Sequence, residues 1–279
     1  MRGLFTSACL LLASLPGVLA ANSAGCGKAK TFTNKQYFMN VNGKNRNYFL
    51  NIPDNYDQNK PYRLVFTWHE LGSSAQSIVN GEDIKNNGVL PYYGLEAIAN
   101  NSAVFVVPDG INGGWANQGG EDVTFFDQLV KTVEADLCVN TNLRFATGFS
   151  YGGSMSYALA CTRPDMIRGI AVISGGLLSG CSGVTKSVAF YGQHGTRDSV
   201  LNVAMGRQLR DKFVANNGCT RLASEPQLNG GNAVKSVYTR CKQGYPVTWI
   251  IHDGYQNPSQ VNQGSTNPFA PGYTWEFFT

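Results

Sequence analysis

The chain has little charge and few bases. Asp, Glu, Lys and Arg make up 14% of its 279 residues, and it has only three histidines. So low a charge content excludes a disordered or coiled-coil chain. The net charge of +4, with no run of basic residues, is too weak for a nucleic-acid footprint. No apolar run is long enough to span a bilayer, so no membrane partner is expected. There is no Cys-x-x-Cys spacing, and His69, His194 and His252 are scattered. That pattern argues against zinc, and no motif calls for another metal or a cofactor.

What is present fits a secreted chain. Arg2, the apolar stretch Ala8 to Leu15 and Val18-Leu19-Ala20 read as a signal peptide over residues 1–20, leaving 21–279 as one domain. Cys9 falls in that leader. The other six cysteines allow up to three disulfides, hence an extracellular location. Cys219 and Cys241 flank a Gly/Asn-rich excursion and are the one pair suggested; the remaining connectivity stays open. Asn100-Asn101-Ser102 is a glycosylation sequon at Asn100.

Periodicity gives the fold class. Tyr37 to Val41 and Asn47 to Ile52 read as a hairpin around Asn42-Gly43. Short apolar runs at Arg63 to Thr67, Ala103 to Val107, Leu143 to Thr147, Ile170 to Ser174, Val188 to Gly192 and Val247 to Ile251 suit buried parallel strands. Helical spacing occurs over Val123 to Leu137, with Asp122 as its expected cap, and over Met155 to Cys161, Val203 to Val214 and Trp275 to Phe278. Strands alternating with helices predict an α/β fold of the α/β-hydrolase type: a mostly parallel central sheet, helices on both faces.

The chemistry centres on Gly148-Phe149-Ser150-Tyr151-Gly152, the G-x-S-x-G nucleophile elbow between a strand and a helix. Glycines flank Ser150 because side chains there would collide, and the helix turns its positive end toward a developing oxyanion. The oxyanion donors are expected to be the amides of Tyr151 and of one of Glu70, Leu71 and Gly72, with Leu71 taken as the second. His69, in the same loop, is read as a structural anchor. Asp198 follows the strand Val188 to Gly192, where the orienting carboxylate belongs. Only His252 lies beyond it, so chain order nominates His252 as base.

The segments 145–153, 114–117 with 120–123, 194–198, Tyr245-Pro246-Val247-Thr248-Trp249 and the C-terminal 268–271 with 275–278 resemble secreted fungal feruloyl esterases of the C/D type in carbohydrate esterase family 1. The resemblance runs from Gly25-Cys26-Gly27 to the C-terminus. It implies Ser150 as nucleophile, Asp198 as triad acid, and hydrolysis of feruloyl esters on plant cell-wall polysaccharide such as arabinoxylan. It does not carry over the base. Such enzymes usually place a histidine two residues before the proline of the last loop, and this chain has Gln256 before Pro258. Some of them also carry a histidine at the His252 position beside the catalytic one, which makes His252 structural. The chain is then a weak or inactive relative that retains binding, a relative in which His252 has taken over, or one carrying an inactivating change. An acetyl-xylan esterase or polyester depolymerase, and a non-catalytic carbohydrate- or phenolic-binding protein, are the alternatives. Trp68 and Trp115 are the expected substrate-lining residues, with Tyr92, Tyr93 and Tyr151 as further candidates.

Overall fold

The computed structural model describes residues 21–83, 88–181, 183–184, 186–228 and 230–279. The expected leader, 1–20, lies outside them. Among the described residues nine strands form one sheet: β1 (Gln36–Val41), β2 (Lys44–Asn51), β3 (Tyr62–Trp68), β4 (Ala103–Pro108), β5 (Val139–Phe149), β6 (Gly169–Ile173), β7 (Ala189–Gly195), β8 (Val234–Val237) and β9 (Val247–His252). Their order is β1-β2-β4-β3-β5-β6-β7-β9-β8. The six strands from β4 to β9 in that order are mutually parallel, while β1, β2 and β8 pair antiparallel at the edges.

Strand alternation sends side chains into two cores. Leu64, Phe66 and Trp68 of β3 join one, and Val65 joins the other. The first core packs under α3 (Glu121–Asp136), α4 (Tyr151–Thr162) and α5 (Val203–Asn216), through Phe125, Leu129, Tyr157 and Phe213. The second packs under α1 (Ala75–Asn80), α2 (Leu95–Ala99) and α6 (Ala270–Phe278), through Ile78, Leu95 and Phe278. With both faces covered, the central strands can be apolar throughout; every residue of β4, β6, β7 and β9 is buried. This is a single α/β-hydrolase domain.

The Asn42-Gly43 turn is as expected, with both residues at positive φ (51° and 82°). The expected cap of α3 is corrected. Asp122 lies inside the helix, and the Asn117 side chain caps it by accepting from the amides of Asp122 and Val123. Asp122 instead accepts from Arg46 at 2.8 Å and from the Asn117 amide, deep in the interior. Three disulfides join Cys26 to Cys138, Cys161 to Cys181 and Cys219 to Cys241. The first ties the N-terminal arm to the start of β5. The third is the pair the sequence suggested.

Candidate active site

The strand β5 runs into Ser150 and then α4, and the turn is as tight as a backbone allows. Ser150 has φ 54° and ψ −116°, a strained conformation for a residue with a Cβ. It exists because the residues two positions to either side, Gly148 and Gly152, have no side chains. A Cβ on Gly148 would run into the Gly152 backbone and the Trp68 carbonyl, and one on Gly152 into that same carbonyl. The Ser150 amide is spent on the Ile173 carbonyl of β6, at 2.9 Å. Ser154 reinforces the turn: its amide and hydroxyl both donate to the Ser150 carbonyl. Ser150 is half-buried and sits at the positive end of a twelve-residue helix.

The loop after β3 lies beside this elbow. His69 is fully buried; its Nδ1 donates to the Glu70 carbonyl at 2.7 Å, and its Nε2 accepts from the Gly110 amide at 2.9 Å. Burial lowers its pKa, which keeps the ring neutral and suits those two opposite roles. His69 is thus an anchor. The amides of the loop divide as follows. Gly72 donates to Gly113 at 2.8 Å and Ser73 to Glu70. Glu70 folds its own carboxylate back onto its amide, and burial raises the pKa of that carboxylate. Leu71 remains, with Tyr151 at the first position of α4, as a pair of amides suited to an oxyanion.

The two tryptophans do not line a slot. Trp68 and Trp115 are fully buried and pack edge to face at 4.8 Å. Trp115 Nε1 donates to the His69 carbonyl at 2.7 Å, so it holds the loop from beneath. Its glycine-rich setting turns the ring inward rather than exposing it. Tyr92 and Tyr93 are also buried. Tyr151 alone of the five aromatic candidates stays half-buried at the surface, lining a cavity of about 320 Å³ with Leu71, Ile111, Gly114 and Ala116; Lys44 and Glu121 form its polar end.

On the other side, β7 ends in the loop that carries Asp198. One carboxylate oxygen, Oδ1, accepts from the amides of Val200 and Leu201 at 2.9 and 2.8 Å. The other, Oδ2, is buried without a hydrogen bond. His194 Nε2 is only 3.1 Å from it, but that N–H is directed at the Leu201 carbonyl, 2.6 Å away. In a catalytic triad this free oxygen would accept from the base imidazole.

The last loop, after β9, supplies no imidazole. Gln256 Nε2 donates to Ser150 Oγ at 3.2 Å. Whichever way the amide is turned, neither of its atoms is basic near neutral pH. His252 is corrected as a candidate base. It is the last residue of β9, buried, with its ring against Phe269 and its Nδ1 accepting from the Gly254 amide at 3.2 Å. Its Nε2 is buried without a partner. Burial, aided by nearby His194, lowers its pKa to about 4. Among the described residues no group of three or more His, Cys, Asp or Glu could hold a metal, and no helix is long and apolar enough to cross a membrane. Asn100 is exposed at the end of α2.

Comparison with known proteins agrees with this geometry. The family described as phospholipase/carboxylesterase matches residues 121–228. Feruloyl esterase D of Neurospora crassa is 57% identical over 97% of this chain and 94% of its own length. Feruloyl esterase C of Emericella nidulans is 44% identical over 100% of this chain and 98% of its own. Among solved structures, an acetyl xylan esterase from Aspergillus awamori aligns with a TM-score of 0.62 at 14% identity, over 88% of this chain and 98% of that one. A ferulic acid esterase from Anaeromyces mucronatus, solved with ferulic acid, aligns at 0.57 and 16%, over 88% and 90%. At those identities the two structures speak for the fold alone. The close relatives settle the family: this chain belongs to the fungal feruloyl esterases of the C/D type, serine carboxylic ester hydrolases on an α/β-hydrolase fold.

Proposed function

We propose that this protein acts on feruloyl esters of plant cell-wall material, with arabinoxylan as the carrier polysaccharide, and that Gln256 sets its turnover far below that of an intact triad. The hydrogen bond from Gln256 to Ser150 Oγ carries this reading: the position a base must occupy to reach the nucleophile is filled by an amide. Ser150 attacks the ester carbonyl, and the amides of Tyr151 and Leu71 receive the negative charge. The feruloyl group lies in the cavity beside them, which has the size of a small-ligand site and sets Leu71, Ile111 and Tyr151 beside polar residues. The alkoxide leaves as the sugar hydroxyl, and water releases ferulate from the acyl-enzyme. Each half-reaction moves a proton that Gln256 cannot hold. Loss of one triad member costs about 10³- to 10⁶-fold in rate. Binding of feruloylated oligosaccharide survives that loss, so the protein holds such esters much better than it cleaves them. The three disulfides and the leader expected at 1–20 support action outside the cell, with Asn100 as a glycan site.

The test is a substrate panel of methyl ferulate, acetylated xylan and a short polyester, run with this protein and with Gln256→His. Turnover of methyl ferulate by Gln256→His above the other two supports the reading. A preference for acetylated xylan or the polyester would transfer the protein to a different ester class.

A further inference from the structure

The segment before α2 is built in an unusual way. Tyr92, Tyr93 and Gly94 follow one another with φ of 50°, 54° and 74°, three successive left-handed residues of which only the last is glycine. Gly94 is confined as well, because a Cβ there would press on Pro271 of α6. Side-chain residues accept such a backbone only where the surrounding structure holds it, and such places cluster at functional sites.

The turn delivers one hydroxyl to one place. Tyr93 is buried, and its O–H donates to the Trp68 carbonyl at 2.7 Å while its oxygen accepts from the Phe149 amide at 3.2 Å. Trp68 is the last residue of β3 and Phe149 the last of β5. Beyond the first lies the loop His69-Glu70-Leu71; beyond the second lies Ser150. A Cβ on either Gly148 or Gly152 of the elbow would run into that same Trp68 carbonyl, so the elbow packs closely against it. Its direction therefore fixes how the elbow seats against the oxyanion loop. Burial holds the Tyr93 hydroxyl protonated at any pH the enzyme meets, so it can always donate.

We infer that Tyr93 is a positioning residue that sets the distance between Ser150 Oγ and the Leu71 amide by bridging the ends of β3 and β5. It touches no substrate. Its loss leaves both strands in place but lets the two loops relax against each other, which weakens the transition state and not the bound ester. The inference deepens the proposed function, resting on Ser150 as nucleophile but not on ferulate as the acyl group.

The test uses Gln256→His, where turnover is measurable, with and without Tyr93→Phe. The substrates are methyl ferulate and p-nitrophenyl acetate. Tyr93→Phe is expected to lower kcat on both by about 10- to 100-fold, with KM within about twofold, the pattern of an interaction made only in the transition state. Phe105→Leu, in the same core, serves as a control that lowers Tm without lowering kcat. An unchanged kcat, or a loss confined to KM, would overturn the inference. So would a kcat loss matched by the control. In the unmutated protein, hydrogen exchange gives an independent reading. The Phe149 amide should be among the slowest to exchange, and exchange as fast as at exposed loop amides would overturn the bridge. Should Gln256→His act on p-nitrophenyl acetate but not on methyl ferulate, the feruloyl reading fails while the role of Tyr93 is still measured.

Discussion

The two halves of the site have been treated differently. The half made by β3, β5 and α4 is complete: glycines admit the elbow, His69 and Trp115 lock the neighbouring loop, and Leu71 and Tyr151 offer amides. The half made by the ends of β7 and β9 is not. Buried polar atoms without hydrogen bonds occur in both halves, Trp68 Nε1 and Glu70 Oε2 in the first and Asp198 Oδ2 and His252 Nε2 in the second; what sets the second apart is an amide where a base should be. A buried unpaired carboxylate oxygen costs roughly 1–3 kcal/mol. In the proposed triad that oxygen of Asp198 would accept from a base imidazole; here the one imidazole near it, His194, turns its N–H to the Leu201 carbonyl instead. The nucleophile half depends on backbone geometry and collapses if a glycine changes. The base half depends on one side chain, and can be lost by one substitution without disturbing the fold.

Asp198→Asn breaks that comparison with the largest effect. In Gln256→His it should cost about 10³- to 10⁴-fold in kcat, because the imidazole loses its orienting partner. In the unmutated protein it should change residual activity by less than about threefold, as Asp198 there has no base to orient. A large loss in both backgrounds would give Asp198 some other catalytic task.

Gly152→Ala probes the other half. Its Cβ would meet the Trp68 carbonyl, a backbone atom that cannot step aside cheaply. Activity in the Gln256→His background should fall about 100-fold or more, with a stability loss of about 1–3 kcal/mol. Normal activity would mean that the elbow has room for a side chain at Gly152.

A smaller effect lies in pH. His252 has its pKa lowered from 6.5 to about 4, because its buried ring resists charging. The unfolded chain takes up that proton first. Stability contributed by the neutral ring is therefore complete above pH 6.5 and is lost as pH falls toward 4, on the order of 3 kcal/mol in all. His69 shifts in the same direction and adds to the slope. Urea unfolding across this range should show the decline, and His252→Gln should flatten part of it. An unchanged slope would mean that His252 is not buried neutral.

Much of the fold was legible in the sequence because the parallel strands are buried on both faces and so read as unbroken apolar runs. The elbow was legible because its glycines are required by sterics. What escaped notice had no such signal. Strand β8 is four residues, none of them fully buried, and carries no apolar run. The helices α1 and α2 are six and five residues long, too short for a periodic stripe. Trp115 was misread because a tryptophan among glycines looks exposed, whereas here the glycine-rich loop lets the ring fold under His69. The Arg46–Asp122 pair joins a hairpin strand to a helix 76 residues away, and no local pattern announces it. The Tyr93 bridge is of the same kind: its partners lie 25 and 56 residues distant. In the site, the anomaly at Gln256 could be read from the sequence, but the partner it touches could not.

The decisive measurement is kcat/KM for methyl ferulate as a function of pH, for this protein and for Gln256→His. The account predicts that the substitution raises the plateau by at least about 10³-fold and brings in a rise with pH near the titration of a histidine, while the unmutated protein shows no such rise. Equal plateaus, with the unmutated protein already turning over efficiently, would contradict it.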